Sequence, residues 1–169
     1  MSISKTKIIL IMGVTTYTQD IVAQVDANRI FKALVLDADN IIPKLMSQAV
    51  KNIETIEDHD ESIKKMNFVE GYPIKYLKHK IHFIDNKNMV IKYSLIEGEV
   101  LGENLEHISY YVRFEECENG GCICKTISEY HTNGNCIVKE EEIKEDRDKA
   151  IELFKLVEAY LLANPFAYV

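Results

Sequence analysis

Three consecutive stretches of this chain alternate between apolar and polar residues, the two-residue period of strands that turn one face to a core. Leu77, His79, Ile81 and Phe83 share a face of the first, and Met89, Ile91, Tyr93 and Leu95 a face of the second. Ile108, Tyr110, Val112 and Phe114 share a face of the third. A sealed core favours aliphatic side chains and Phe, because a phenol or imidazole buried without a partner costs free energy. His79, Tyr93 and Tyr110 break that rule on adjacent strands. One such residue alone reads as a core residue bonded to a backbone carbonyl. Three together point to a cavity lined by the sheet.

The remaining elements follow from period and punctuation. Residues 14–25 predict another one-sided strand, with Tyr17, Gln19, Ile21, Ala23 and Val25 on one face. Asp26 is a good N-cap, and Ile30, Ala33, Leu34 and Asp37 follow at helical spacing. Pro43 allows only a second short helix from Asp39, close to whose start it sits. Strands over residues 50–57 and 62–69, and turns at Tyr72-Pro73, Asp85-Asn86-Lys87-Asn88, Asn119-Gly120-Gly121 and Asn133-Gly134-Asn135, complete a seven-stranded meander. From Lys139 onward the pattern turns helical, with Ile143, Ala150, Phe154, Val157 and Leu161 in one stripe widened by Leu153 and Tyr160. Glu140, Glu141 and Glu142 suit the first turn, and Pro165 ends the helix. So long a helix with so broad an apolar face needs a sheet to lie across. The predicted class is α+β: a curved seven-stranded antiparallel sheet around a long C-terminal helix, two short helices at one end, and a hydrophobic cavity within.

With 169 residues the chain suffices for one domain and is short for two. It divides into an N-terminal extension, residues 1–11, and a single domain, residues 12–169. Asp and Glu outnumber Lys and Arg by 27 to 20, a formal charge of −7 that repels nucleic acid and anionic membranes. The apolar run at residues 8–12 is too short to span a bilayer, and no small-residue cleavage pattern follows it closely, so a cytoplasmic protein is expected. Cys117, Cys122, Cys124 and Cys136 lack the spacing of a zinc ribbon or finger. They read as free, reduced thiols, and neither a metal nor a cofactor is assigned.

Seven segments then run in order through everything after Met12: Arg29-Ile30-Phe31-Lys32-Ala33; Asp37-Ala38-Asp39-Asn40 with Pro43-Lys44; Glu70-Gly71-Tyr72-Pro73-Ile74-Lys75-Tyr76; Tyr93-Ser94-Leu95-Ile96-Glu97-Gly98; Gly102 with Leu105-Glu106; Tyr130-His131-Thr132-Asn133-Gly134; and Val157-Glu158-Ala159-Tyr160-Leu161-Leu162-Ala163. In them the chain resembles the pathogenesis-related class ten proteins, the plant family that includes the major birch pollen allergen. The resemblance implies a START-like helix-grip fold of the same shape, around a large cavity for hydrophobic small molecules. It implies an intracellular, defence-related store, carrier or buffer for flavonoids, cytokinins and other phytohormones, sterols, fatty acids or alkaloids. By position, Leu34, Phe68, His79, Ile91, Tyr93, Tyr110, Ser128, Tyr130, Lys149 and Leu153 are the expected lining. A monomer is expected, a weak dimer being the alternative. One departure stands out: the family's glycine-rich loop is replaced by the acidic, glycine-free residues 57–62. That turn should repel anions, and Asp58, Asp60 and Glu61 fall short of the oxygen cage a divalent cation needs.

Other classes of function stay open at this stage. Similar folds include alkaloid cyclases and isomerases that work with one acid–base residue inside the cavity. Where the norcoclaurine synthases are similar to this chain, His79 replaces a catalytic carboxylate and Ile91 a lysine. That opposes amine–aldehyde condensation and leaves proton transfer by His79 with Tyr93 or Tyr110 as the catalytic alternative. Hormone receptors of similar fold bind phosphatases through a gate, here residues 97–103. Ribonuclease activity, attributed to similar proteins, would fall to Lys64, Glu106, Glu158 and Tyr160, and the acidic charge weighs against it. His59, His82, His107 and His131 are expected in solvent, with His82 on the opposite side of its strand from His79.

Overall fold

In the computed structural model, which describes residues 7–11, 13–58 and 61–169, an eight-stranded antiparallel sheet curves around a long C-terminal helix. The strands are β1 (Lys7–Ile11), β2 (Val14–Ala23), β3 (Val50–Asp58), β4 (Glu61–Phe68), β5 (Tyr76–Asp85), β6 (Val90–Gly98), β7 (Leu105–Glu116) and β8 (Cys122–Thr132). They neighbour in the order β1-β2-β8-β7-β6-β5-β4-β3. Seven were expected; the eighth is β1, where part of the extension folds back at Gly13 and pairs with β2 from Lys7↔Thr18 to Ile11↔Val14. Ile8 and Ile9 stay exposed, so the strand carries no one-sided pattern that would announce it.

Asp26 caps α1 (Ala27–Phe31) by accepting the backbone N–H of Arg29 at 3.0 Å. A π-helical turn, Lys32–Leu36, follows, and then α2 (Ala38–Leu45), which carries Pro43 inside rather than in its first turn. The long helix is α3 (Glu140–Ala163). No helix among the described residues is long and apolar enough to cross a membrane. Arg29 ties α1 to the far end of α3. Its guanidinium donates to the carbonyls of Leu161, Asn164 and Ala167 at 3.0, 2.9 and 3.0 Å, groups of the kind a helix end leaves unpaired.

Two buried clusters hold the layers together. The larger sits where α3 ends, with Ala27, Ile30, Phe31, Val157 and Leu161 all but sealed. The smaller gathers Tyr17, Leu95, Leu105, Ile108, Tyr130 and Ile143. Tyr110 packs against both while remaining half-buried.

The alternation fails at two positions. A bulge between Ile81 and Phe83 in the β5–β6 pairing absorbs one residue, so Phe83 lies opposite Lys92 and is 45% exposed instead of continuing the face of His79. Met89 ends the preceding turn with a φ of +53° and stands before β6. β3 and β4 pair as far as Asp58↔Glu61. His59 and Asp60, and with them the expected acidic turn, lie outside the described residues.

Candidate functional site

The register of the sheet brings the anomalous residues together. Tyr93 pairs with Tyr110 across β6 and β7, and β5 sets His79 beside them. The rings touch in a row: His79 meets Tyr93 edge-on with centroids 5.7 Å apart, and Tyr93 stacks on Tyr110 at 4.9 Å. From the opposite side α3 supplies Asp146. Its carboxylate accepts the phenol O–H of Tyr110, at 2.9 and 3.1 Å to its two oxygens, and that of Tyr130 at 2.6 Å. Helix and sheet are thus joined by a polar contact at the seam between two apolar clusters. Asp146 was missed in the sequence, where it sits in a highly charged run. Its spacing of three from Ile143 and seven from Leu153 is the signal that places it on the inward side of the helix.

Burial sets the protonation states. Desolvation lowers His79 to about 4, so its imidazole is neutral at pH 7. Desolvation also raises Tyr93, Tyr110 and Tyr130 above the usual phenol range, with the charge of Asp146 adding to each, so all three remain O–H donors. The Asp146 carboxyl is itself raised by desolvation, while the hydrogen bonds from the phenols pull it the other way.

Among the described residues neither the imidazole of His79 nor the hydroxyl of Tyr93 has a hydrogen-bond partner, and neither is among the fully sealed polar atoms. Ala150 tells the same story from the helix. It lies seven residues from both Ile143 and Val157, on the arc those residues share with Phe154 and Leu161, yet it is exposed while they are buried. The predicted stripe is uncovered at its middle.

The other expected lining residues divide. Leu34, Phe68 and Leu153 are half-buried beside the larger cluster, Phe68 stacked on Tyr72 at 4.8 Å. Ile91, Ser128 and Tyr130 are buried on that same face: Ile91 lies two residues from Tyr93 on β6, Ser128 pairs with Tyr110 across β7 and β8, and Tyr130 reaches Asp146. Lys149 is corrected: its side chain is 57% exposed and its ammonium lies 3.3 Å from Glu145 on the outer flank of α3. At about 100° per residue it falls roughly a third of a turn from the inward arc.

Elsewhere, His107 and His131 are not free in solvent but half-buried and stacked on each other, centroids 4.1 Å apart. His82 is exposed, its Nε2 2.7 Å from Ser94 Oγ on the outer face. The expected gate holds a 3-10 turn, Glu99–Leu101, between Gly98 and Gly102. Of the residues tied to ribonuclease activity, Lys64 pairs with Asp39 at 2.6 Å, Tyr160 accepts from Lys44 at 3.0 Å, and Glu158 accepts the backbone N–H of Gln24 at 2.8 Å. Glu106 sits exposed 3.9 Å from His107. Each is held in a partnership of its own. Two open concavities lie on the outside, one of about 470 Å³ against Glu141, Lys144 and Asp148, the other of about 370 Å³ against Phe83, Tyr111 and Arg113. Neither touches His79, Tyr93, Tyr110 or Asp146.

Known proteins match this arrangement along nearly its whole length. The family model described as the pathogenesis-related protein Bet v 1 family matches residues 12–164. Pathogenesis-related protein STH-2 of Solanum tuberosum is 62% identical over 157 residues, 93% of this chain and 99% of the relative. Major strawberry allergen Fra a 1-E of Fragaria ananassa is 48% identical over 159 residues, with the same coverage of 93% and 99%. The crystal structure of Ara h 8.0201 has a TM-score of 0.81 at 31% identity and covers 90% of this chain and 100% of its own. Norcoclaurine synthase from Thalictrum flavum, solved with dopamine and hydroxybenzaldehyde, has a TM-score of 0.65 at 21% identity, covering 95% and 89%, a likeness of fold alone.

Proposed function

The chain belongs to the pathogenesis-related Bet v 1 family, and on that premise we propose that it is an intracellular, defence-related plant protein that binds hydrophobic or phenolic small molecules between α3 and the inward face of its sheet. The observation that carries this function is the unpartnered pair, the imidazole of His79 and the hydroxyl of Tyr93, set deep in the fold yet open to the interior. Buried polar groups are as a rule hydrogen-bonded, so these two await water or a guest. Ala150 on the facing helix leaves room for one. Apolar walls supply affinity and the few polar groups supply direction. A two-ring guest that buries about 300 Å² of apolar surface gains roughly 7 kcal/mol before an association cost of at least about 4 kcal/mol. Apolar burial alone therefore gives weak, millimolar-range binding, and the polar groups must add to it for tighter binding.

Native mass spectrometry of the protein purified from its own tissue tests this. The expected result is a mass increment that organic extraction releases as an apolar or phenolic compound. A bare mass, together with no heat of binding from flavonoids, cytokinins or fatty alcohols, overturns it.

One observation favours a second function. The neutral imidazole of His79, edge-on to the phenol of Tyr93, has the protonation state of a general base for an enolisable or cyclisable metabolite. A guest converted by the wild type and left intact by His79→Ala supports catalysis; a guest returned unchanged by both proteins removes it.

A further inference from the structure

A carboxylate set into the inward side of a helix is costly unless bonded. Asp146 finds its donors in two phenols, and among the described residues no cation is in ion-pair contact with it; Lys149, one turn on, acts on its charge only at a distance. Lys149, the cation expected inside, points to solvent and pairs with Glu145, while the Arg147 guanidinium lies over the ring of Tyr17, 5.7 Å from its centroid. Tyr110 splits its hydrogen bond between both carboxylate oxygens and stacks on Tyr93, which opens to the interior. A carboxylate has about four lone-pair directions, so the three contacts from two phenols leave capacity for a further donor.

We infer that Asp146 makes the interior site selective by charge: it takes amines, alcohols and phenols, neutral or cationic guests with a hydrogen to donate, and turns away carboxylates and other anions. The inference rests on the interior binding site proposed above. In a poorly screened interior an anion a few ångströms away attracts an ammonium and repels a sulfonate or carboxylate strongly, and the anionic guest also loses its own hydration. Had Lys149 lined the site, the preference would run the other way.

Titration calorimetry at pH 7 with phenylbutylamine, phenylbutanol and phenylbutanesulfonate tests it, since the three share one apolar skeleton and differ in charge. In the wild type the amine and the alcohol bind, and the sulfonate binds about tenfold more weakly than the alcohol or worse. In Asp146→Asn, which keeps a carbonyl acceptor for the phenols, the sulfonate comes to within about threefold of the alcohol. Equal affinities for the three in the wild type, or a gap that survives Asp146→Asn, overturns charge selection and leaves the interior site standing. Failure of all three to bind, the alcohol included, overturns the interior site and the selection with it. The wild-type series decides the matter even if the variant does not fold.

Discussion

Ala150→Leu puts the space beneath α3 to a direct test. The substitution adds three carbons at the uncovered middle of the inward arc. In an open interior they come to rest against apolar walls, gaining at most about 0.8 kcal/mol per carbon less the rotamer entropy lost, so stability changes by roughly 0 to +2 kcal/mol. In a filled interior the same atoms overpack it, at a cost of about 1–3 kcal/mol. Ala27, which is 0% exposed in the larger cluster, supplies the packed control. For a chain of this length 1 kcal/mol moves Tm by about 2–4 °C. Ala150→Leu should therefore melt with the wild type or up to about 6 °C above it, and Ala27→Leu several degrees below. An alanine facing bulk water would also tolerate leucine, so binding must be read in parallel: a leucine inside the site takes the guest's volume and weakens a two-ring ligand about tenfold or more. Calorimetry and thermal melts on the same three proteins decide. A Tm loss matching that of Ala27→Leu means the arc is packed, and unaltered binding means Ala150 faces outward; either result refutes the reasoning.

Arg29→Met removes three charge-assisted hydrogen bonds to the end of α3 and should cost about 2–4 kcal/mol in urea unfolding; a loss under about 1 kcal/mol would show that the larger cluster anchors the helix unaided. His79 gives stability a pH dependence of known sign, because its folded pKa of about 4 lies below the ordinary 6.5. Above pH 6.5 it is neutral in both states, and as pH falls towards 4 the unfolded chain takes up a proton that the folded one refuses, removing up to about 3 kcal/mol. Asp146, raised in the fold, contributes with the opposite sign, so the quantity to measure is the wild-type curve minus that of His79→Gln, and parallel curves would contradict the assignment.

Where local rules act alone, the sequence was a sound guide to the fold. The cap at Asp26, the alternation along β6 and β7 and the long period of α3 appear as expected. Departures occur where the deciding contact lies elsewhere. In β1 the neighbours Ile8 and Ile9, which a strand turns to opposite faces, are both exposed, and its pairing is a matter of backbone and a tight turn. The bulge after Ile81 shifts the phase of β5, and no residue type marks it. Helical periodicity puts Ala150 on the arc of Ile143 and Val157, where it is exposed while they are buried, and periodicity says nothing of what faces it. Lys149 was placed by resemblance, and the helix phase carries it round to solvent.

The residues that look wrong for a core explain one another in part, and the remainder is what points to a guest. Tyr110 on an apolar strand face and Asp146 on the inward side of a helix would each be costly alone, yet packed together they form a donor–acceptor pair, joined by Tyr130, that satisfies the phenols and leaves the carboxylate room for one donor more. Neither half announces the other, since they lie 36 residues apart and meet only when α3 crosses the sheet. The same complementarity does not extend to His79 and Tyr93. Their neighbours offer ring faces and edges rather than hydrogen-bonding atoms. An anomaly satisfied within the chain belongs to the architecture; one left open beside it, on the same face and in contact with it, belongs to whatever enters. By that criterion Tyr110 is the hinge of the site, fixed to Asp146 on one side and stacked towards the unsatisfied pair on the other.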